Sequence, residues 1–221
     1  MVWSVVTGRL TLQAAIAGGV TGMLLFAGTG WMGVLLMTAF FMMGSFASKW
    51  KRQHKEMIGV AEANKGRRKA SQVWANAGLA GLLALAAWRF PSFTEPSRFL
   101  IACCFSSAAA DTLSSELGSV YGKKFFNILS FKKDRNGLDG VVSAEGFLFG
   151  LSGSFLIALL YLLFKGRSDA FPWILVAGTV GNLADSLFGA AWERKGRMGN
   201  DTVNFLNTLT AAMVGYLLYL S

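Results

Sequence analysis

One histidine, two cysteines and twelve acidic residues are all that this 221-residue chain offers in the side chains that most often ligate metals or run acid-base chemistry. His54 falls in a basic stretch, so zinc sites, haem ligation and a Ser-His-Asp triad have little support. Cys103 and Cys104 are adjacent in an apolar run, which excludes a disulfide framework and leaves them as small packing residues. Charge is scarce as well: 15% of the residues are charged against 53% hydrophobic, and mean hydropathy is +0.46, which excludes an ordinary soluble domain. Met1 to Arg9 lacks a small-residue cleavage site after a short apolar core, so the first apolar stretch is expected to be retained rather than removed as a secretory signal.

What remains is the pattern of a polytopic membrane protein. Seven apolar stretches, at roughly 12–27, 31–48, 72–90, 98–115, 143–164, 171–192 and 203–220, approach the ~20 residues needed to cross a hydrocarbon core. The first is short enough to tilt or to lie partly in the interface. With seven crossings, 17 of the 21 Lys and Arg fall on one side, and only Arg89, Arg98, Lys165 and Arg167 on the other. Retention of positive charge in the cytoplasm then places the amino terminus and the loops after spans two, four and six inside. The expected fold is an all-α membrane helix bundle, one transmembrane domain over residues 1–221, in the inner cell membrane. The net charge of +9 follows from topology and from attraction to anionic headgroups, without nucleic acid.

Polar residues cluster where these spans meet the inner side. Lys65, Arg67, Arg68 and Lys69 run into span three, followed by Ser71, Gln72 and Asn76. Four cations at a helix start oppose the helix dipole unless something anionic sits there. Positive-inside retention explains the charge alone, whereas the polar tail on the following helix favours a phosphate site. Span four ends in Ala-Asp-Thr-Leu-Ser-Ser-Glu-Leu-Gly (110–118), with Asp111, Ser114 and Ser115 on one helical face. A carboxylate at that depth costs about 2.5–3.5 kcal/mol by insertion scales unless it is paired or metal-bound. Glu116 lies about 140° round an ideal helix from Asp111 and joins the same site only if the helix ends or breaks near Gly118.

Span six repeats the theme: Gly181, Asn182, Asp185 and Gly189 share one face, a carboxylate and an amide between glycines that admit close approach. Ala110-Asp111-Thr112-Leu113 compared with Ala184-Asp185-Ser186-Leu187 suggests a parallel internal repeat of helices 4–5 and 6–7, with chance as the competing explanation for four matched positions. If the repeat is real, Asp111 and Asp185 flank one pocket. Between the two units, glycines on both sides of Asp139 predict a tight turn with accessible backbone amides. Asn200 or Asp201 would cap the last helix, and Asp201, Asn204, Asn207 and Thr208 form a polar stripe entering the membrane.

The stretches 65–72, 110–118, Asn-Gly-Leu-Asp-Gly-Val-Val-Ser (136–143), Asp-Ser-Leu-Phe-Gly-Ala (185–190) and Asn-Asp-Thr-Val-Asn-Phe-Leu-Asn-Thr (200–208) resemble, in order, the motifs of a family of integral membrane proteins that includes plant phytyl-phosphate kinase. The family also holds proteins of unassigned role. Three residues depart from its pattern: Phe126-Asn127 stands where a Pro-Arg pair is expected, and Leu138 where a Thr is expected, which bears on the phosphate contacts of that loop and on the substrate. The resemblance implies transfer of a phosphoryl group from a nucleoside triphosphate, CTP or ATP, to a prenyl monophosphate such as phytyl or geranylgeranyl phosphate.

The residues are suited to that chemistry. Carboxylates without His or Cys are ligands for a hard cation such as Mg²⁺, and Lys and Arg neutralise phosphates as charge moves. The acceptor phosphate, with a second pKa near ~6, is already an anionic nucleophile and needs no histidine base. Asp111 and Asp185 are the expected metal ligands, with Glu116 and Asp201 behind them. Lys65, Arg67, Arg68, Lys69 and Ser71 would hold phosphates, while Asn76, Asp139, Ser143, Asn204 and Asn207 would position the donor or a metal-bound water. The prenyl tail would lie among the apolar spans, in contact with membrane lipids, and a homo-oligomer is compatible with the sequence. Attack at the α-phosphorus, as in lipid cytidylyltransferases, is the competing enzyme reading and would release pyrophosphate. A transporter or flippase of lipid phosphates would need polar groups reachable from both sides, whereas here only Ser152, Ser154 and Thr179 lie deeper or beyond.

Overall fold

Apolar runs without internal proline dictate helices, and the computed structural model, which describes residues 10–61, 67–166 and 169–220, is nearly all helical. Its long helices are α1 (Leu12–Thr29), α2 (Trp31–Lys49), α4 (Ala70–Arg89), α5 (Thr94–Tyr121), α6 (Ala144–Lys165), α7 (Ala170–Phe188) and α8 (Asn200–Tyr219), with a short α3 (Arg52–Met57) after α2. These seven long helices coincide with the seven expected stretches. Five of them, α1, α2, α4, α6 and α7 with the turn that follows it, are apolar and long enough to cross a bilayer by length and composition. All three prolines lie in opening turns: Pro91 in a 3₁₀ turn, and Pro96 and Pro172 in the first turns of α5 and α7, where no intrahelical N–H partner is lost.

α5 is the axis of the bundle. Every residue from Phe99 to Ala110 is buried, and α2, α4, α6, α7 and α8 all pack on it. A helix buried all round must present small side chains to its neighbours. Gly178 and Gly181 of α7 stand over Ser106 and Ser107, where a Cβ would collide with either hydroxyl. The hydroxyls are satisfied inside the bundle: Ser106 donates to the Ile174 carbonyl at 3.1 Å, and Ser107 donates to the Asn207 side chain. On the outside, Leu12, Ile16, Met23, Leu82, Leu148, Leu163, Met213 and Leu217 are exposed, the surface expected of helices solvated by lipid.

Several local expectations change. α1 is a full helix of 18 residues, about 27 Å long, and Gly28 and Thr29 belong to it, so the turn into α2 is Gly30 alone at φ +70°. The last helix is capped by Gly199 rather than by Asn200 or Asp201; Asn200 is already helical, and its side chain accepts from Asn204 at 3.2 Å. α5 neither ends nor breaks near Gly118. The loop after α5 holds two short antiparallel strands, β1 (Phe126–Asn127) and β2 (Val141–Val142), paired Phe126 to Val142 and Asn127 to Val141. After Phe188 the chain winds into a π turn, Gly189–Glu193.

Candidate active site

The carboxyl ends of α2, α5 and α7, the amino ends of α4, α6 and α8, and the β1–β2 loop meet around one cavity of about 290 Å³. Asp111 and Asp185 enter it from α5 and α7, and their carboxyl groups lie in hydrogen-bond contact with each other. Two acids so placed share either a proton or a cation. Asn207, buried on α8, holds this pair in position: its Nδ2 donates to Asp185 Oδ1 at 3.4 Å, while its Oδ1 accepts from Ser107.

The remaining walls carry most of the other expected residues. Asn76 on α4 is 7% exposed, its Nδ2 donates to the Gln72 carbonyl at 2.9 Å, and its Oδ1 has no hydrogen-bond partner. A buried amide oxygen left without a donor in a cavity wall marks a place where a ligand group fits. Ser143 caps α6, its Oγ accepting from Gly146 N at 3.0 Å, and Asn204 lines the wall from α8. Asp139 stands at the mouth between Gly137 and Gly140, both at positive φ. Partial burial pushes its carboxyl above the usual carboxylate range, with the Arg194 guanidinium pulling the other way. Arg194 itself pairs with Asp134 at 2.5 Å, tying the loop to the turn after α7 and holding the Asp134 carboxyl below its usual range.

Glu116 does line the cavity although α5 continues past it, but its charge is already matched. Lys55, 1% exposed, forms an ion pair with Glu116 and donates to the Ala47 carbonyl at 2.8 Å. That assigns Glu116 to an internal ion pair rather than to a metal. Asp201 is also corrected: it does not line this cavity but a separate apolar groove with Ser71, Trp74 and Phe205, about 60° round α8 from Asn204. Of the expected phosphate-binding cations, Arg68 alone reaches the cavity among the described residues. Arg67 donates to the Leu10 carbonyl at 3.0 Å, Lys69 is exposed beside the start of α4, and Lys65 lies outside the described residues.

Sequence reasoning missed Glu193, which lines the cavity from the π turn, and Lys55, hidden in a loop where any lysine reads as a topology signal. An acid at the end of a span should have drawn notice. Together Asp111, Asp139, Asp185 and Glu193 outnumber Arg68, so the lining of the cavity is acidic. Among the described residues no three or more His, Cys, Asp or Glu side chains converge on one metal position. Two carboxylates and a free amide oxygen do fit Mg²⁺, which takes one or two carboxylates and completes its shell with water and phosphate oxygens.

A family profile described as an integral membrane protein family, DUF92, matches residues 1–212. An uncharacterized membrane protein of Synechocystis sp. is 32% identical over 201 residues, 88% of this chain and 77% of its own. The chloroplastic protein VTE6 of Arabidopsis thaliana is 32% identical over 222 residues, 96% of this chain and 66% of its own, and an uncharacterized membrane protein of Methanocaldococcus jannaschii is 31% identical over 212 residues, 94% and 84%. No solved structure matches.

Proposed function

This chain belongs to the integral membrane family DUF92, and on that footing we propose that it is a prenyl-phosphate kinase of the cell membrane with its site facing the cytoplasm. The contact between Asp111 and Asp185 inside a polar cavity at one end of an apolar bundle is the observation that carries the reading. A membrane-embedded acid pair with an adjacent guanidinium and an unsatisfied amide suits a reaction between two phosphates. Packing alone does not account for it.

In the proposed reaction an oxygen of the prenyl monophosphate attacks the γ-phosphorus of the nucleoside triphosphate. The bond from that phosphorus to the β–γ bridging oxygen breaks, and its electron pair leaves with the nucleoside diphosphate. No proton need be removed first, because the acceptor is ionised at neutral pH. Asp111 and Asp185 would hold magnesium, which supplies charge neutralisation across the phosphate oxygens. Arg68 would neutralise the transferring group, and the Asn76 amide oxygen would accept from a nucleotide hydroxyl or a bound water. Asn204 and Asn207 act by positioning, the latter through Asp185. The loop from Asn136 to Ser143 would close over the donor with its backbone N–H groups at the turns of positive φ.

Purified full-length protein in detergent, given Mg²⁺, CTP or ATP and phytyl or geranylgeranyl monophosphate, is expected to form prenyl diphosphate and nucleoside diphosphate in equal amounts, read by mass spectrometry. Chelation should stop turnover and added Mg²⁺ restore it. Asp111→Asn and Asp185→Asn should each reduce the rate by about 100-fold or more while the protein stays folded. Pyrophosphate release would point instead to nucleotidyl transfer, and full activity in either variant would remove the assignment.

A further inference from the structure

Arg68 lines two cavities. Besides the acidic one, it borders a second, apolar cavity of about 200 Å³ enclosed by α1, α2 and α4, with Ala14 and Gly18 on α1, Met37 and Phe41 on α2 and Ala77 on α4. The guanidinium stands 5.0 Å from the centre of the Phe40 ring, which lines the apolar side, and lies over Gly44, where a Cβ would collide with it. Its backbone is pinned as well: Thr11 N donates to the Arg68 carbonyl at 3.1 Å, and Arg67 reaches back to the Leu10 carbonyl. Leu10 and Arg68, joined in a short parallel bridge, therefore roof the apolar cavity at the end nearest the acidic site.

Resting on the kinase reading, we infer that this cavity between α1, α2 and α4 receives the head-proximal part of the acceptor's prenyl chain, with the phosphate of the same molecule on Arg68. Charge decides between this cavity and the apolar groove beside α8. The groove has Asp201 among its lining and would repel a phosphate, whereas the cavity has a fixed cation shared with the reaction site. At ~30 Å³ for each water-sized group, the space takes about seven such groups, the carbons of one to two isoprene units. Gly18 and Ala77 lie one helical turn deeper than Ala14 and Val73, so small residues on the two helices line the deeper part of the cavity. They set how far a rigid, branched chain can enter.

Photolabelling separates this from the kinase reading because it needs no turnover. The full chain in nanodiscs of neutral phospholipid is irradiated with a geranylgeranyl monophosphate carrying a diazirine in its first isoprene unit, and the adducts are mapped by mass spectrometry. Adducts on Met37, Phe41 or neighbouring α1 residues, removed by unlabelled geranylgeranyl monophosphate, are expected. Adducts on Trp74 and Phe205, or labelling displaced by phospholipid but not by prenyl phosphate, would overturn the inference whether or not the protein is a kinase. With activity in hand, Gly18→Leu should lower kcat/KM for the C20 acceptor at least tenfold relative to dimethylallyl monophosphate, whose chain stays above the plug. Because the C5 substrate reports folding, an unchanged ratio sinks the proposal. Labelling as expected without any kinase activity would leave the lipid cavity standing and remove the reaction.

Discussion

Asp111 and Asp185 were readable in the sequence because an acid in an apolar run has no cheap alternative to a partner, and the structure gives each the other. Lys55 was not readable. The loop between spans two and three carries eight cations, each explained by membrane topology, and only the fold shows that one of them is buried against Glu116. The pair has a consequence for stability. Removing the lysine leaves Glu116 without its counter-charge beside an acidic cavity, and breaking a buried ion pair from one side costs about 3–5 kcal/mol. Lys55→Met should therefore lower the melting temperature by several degrees, and adding Glu116→Gln should return most of the loss, since the second change removes the orphaned charge. A Lys55→Met protein that melts with the parent, followed by intrinsic fluorescence in detergent, would show that the pair carries no such energy.

At the scale of elements, period and length revealed the seven long helices, but nothing revealed the π turn or the paired strands. Strands of two residues have no period to detect, and a π turn differs from α-helix by one residue of winding. These irregular pieces nonetheless shape the mouth of the cavity. Gly140, at φ +71°, is pressed against the backbone of Ala190 in the π turn, leaving no room for a Cβ. The glycines flanking Asp139 were legible as a turn; that the turn docks on the end of α7 was not. Gly140→Ala incurs about 1–2 kcal/mol of left-handed strain and must also push the loop off Ala190. The expected result is faster proteolytic cleavage between Lys123 and Arg135 and, on the kinase proposal, a higher KM for nucleotide, with the melting temperature of the bundle nearly unchanged. Cleavage and KM that match the parent would mean the loop does not depend on this contact.

For the molecule as a whole, the proposed orientation rests on the distribution of Lys and Arg along the sequence. In the seven-span reading, the amino terminus and the loops on the side of the acidic site carry 17 of the 21 Lys and Arg. At the opposite end, two of the remaining cations, Arg98 and Lys165, are both paired with Glu95. On that reading, positive-inside retention would place the acidic site in the cytoplasm, the side from which the proposed kinase would draw its nucleoside triphosphate. Orientation is testable with the chain's own chemistry, because Cys103 and Cys104 are both buried in α5 and give a low background toward thiol reagents. Ser130, at the exposed tip of the β1–β2 loop, and Ser92, exposed in the turn before α5, report the two ends. In intact cells a membrane-impermeant maleimide should label Ser92→Cys and spare Ser130→Cys until the membrane is opened. The reverse pattern would put the acidic cavity on the side without nucleotide, and a kinase so oriented would have no donor.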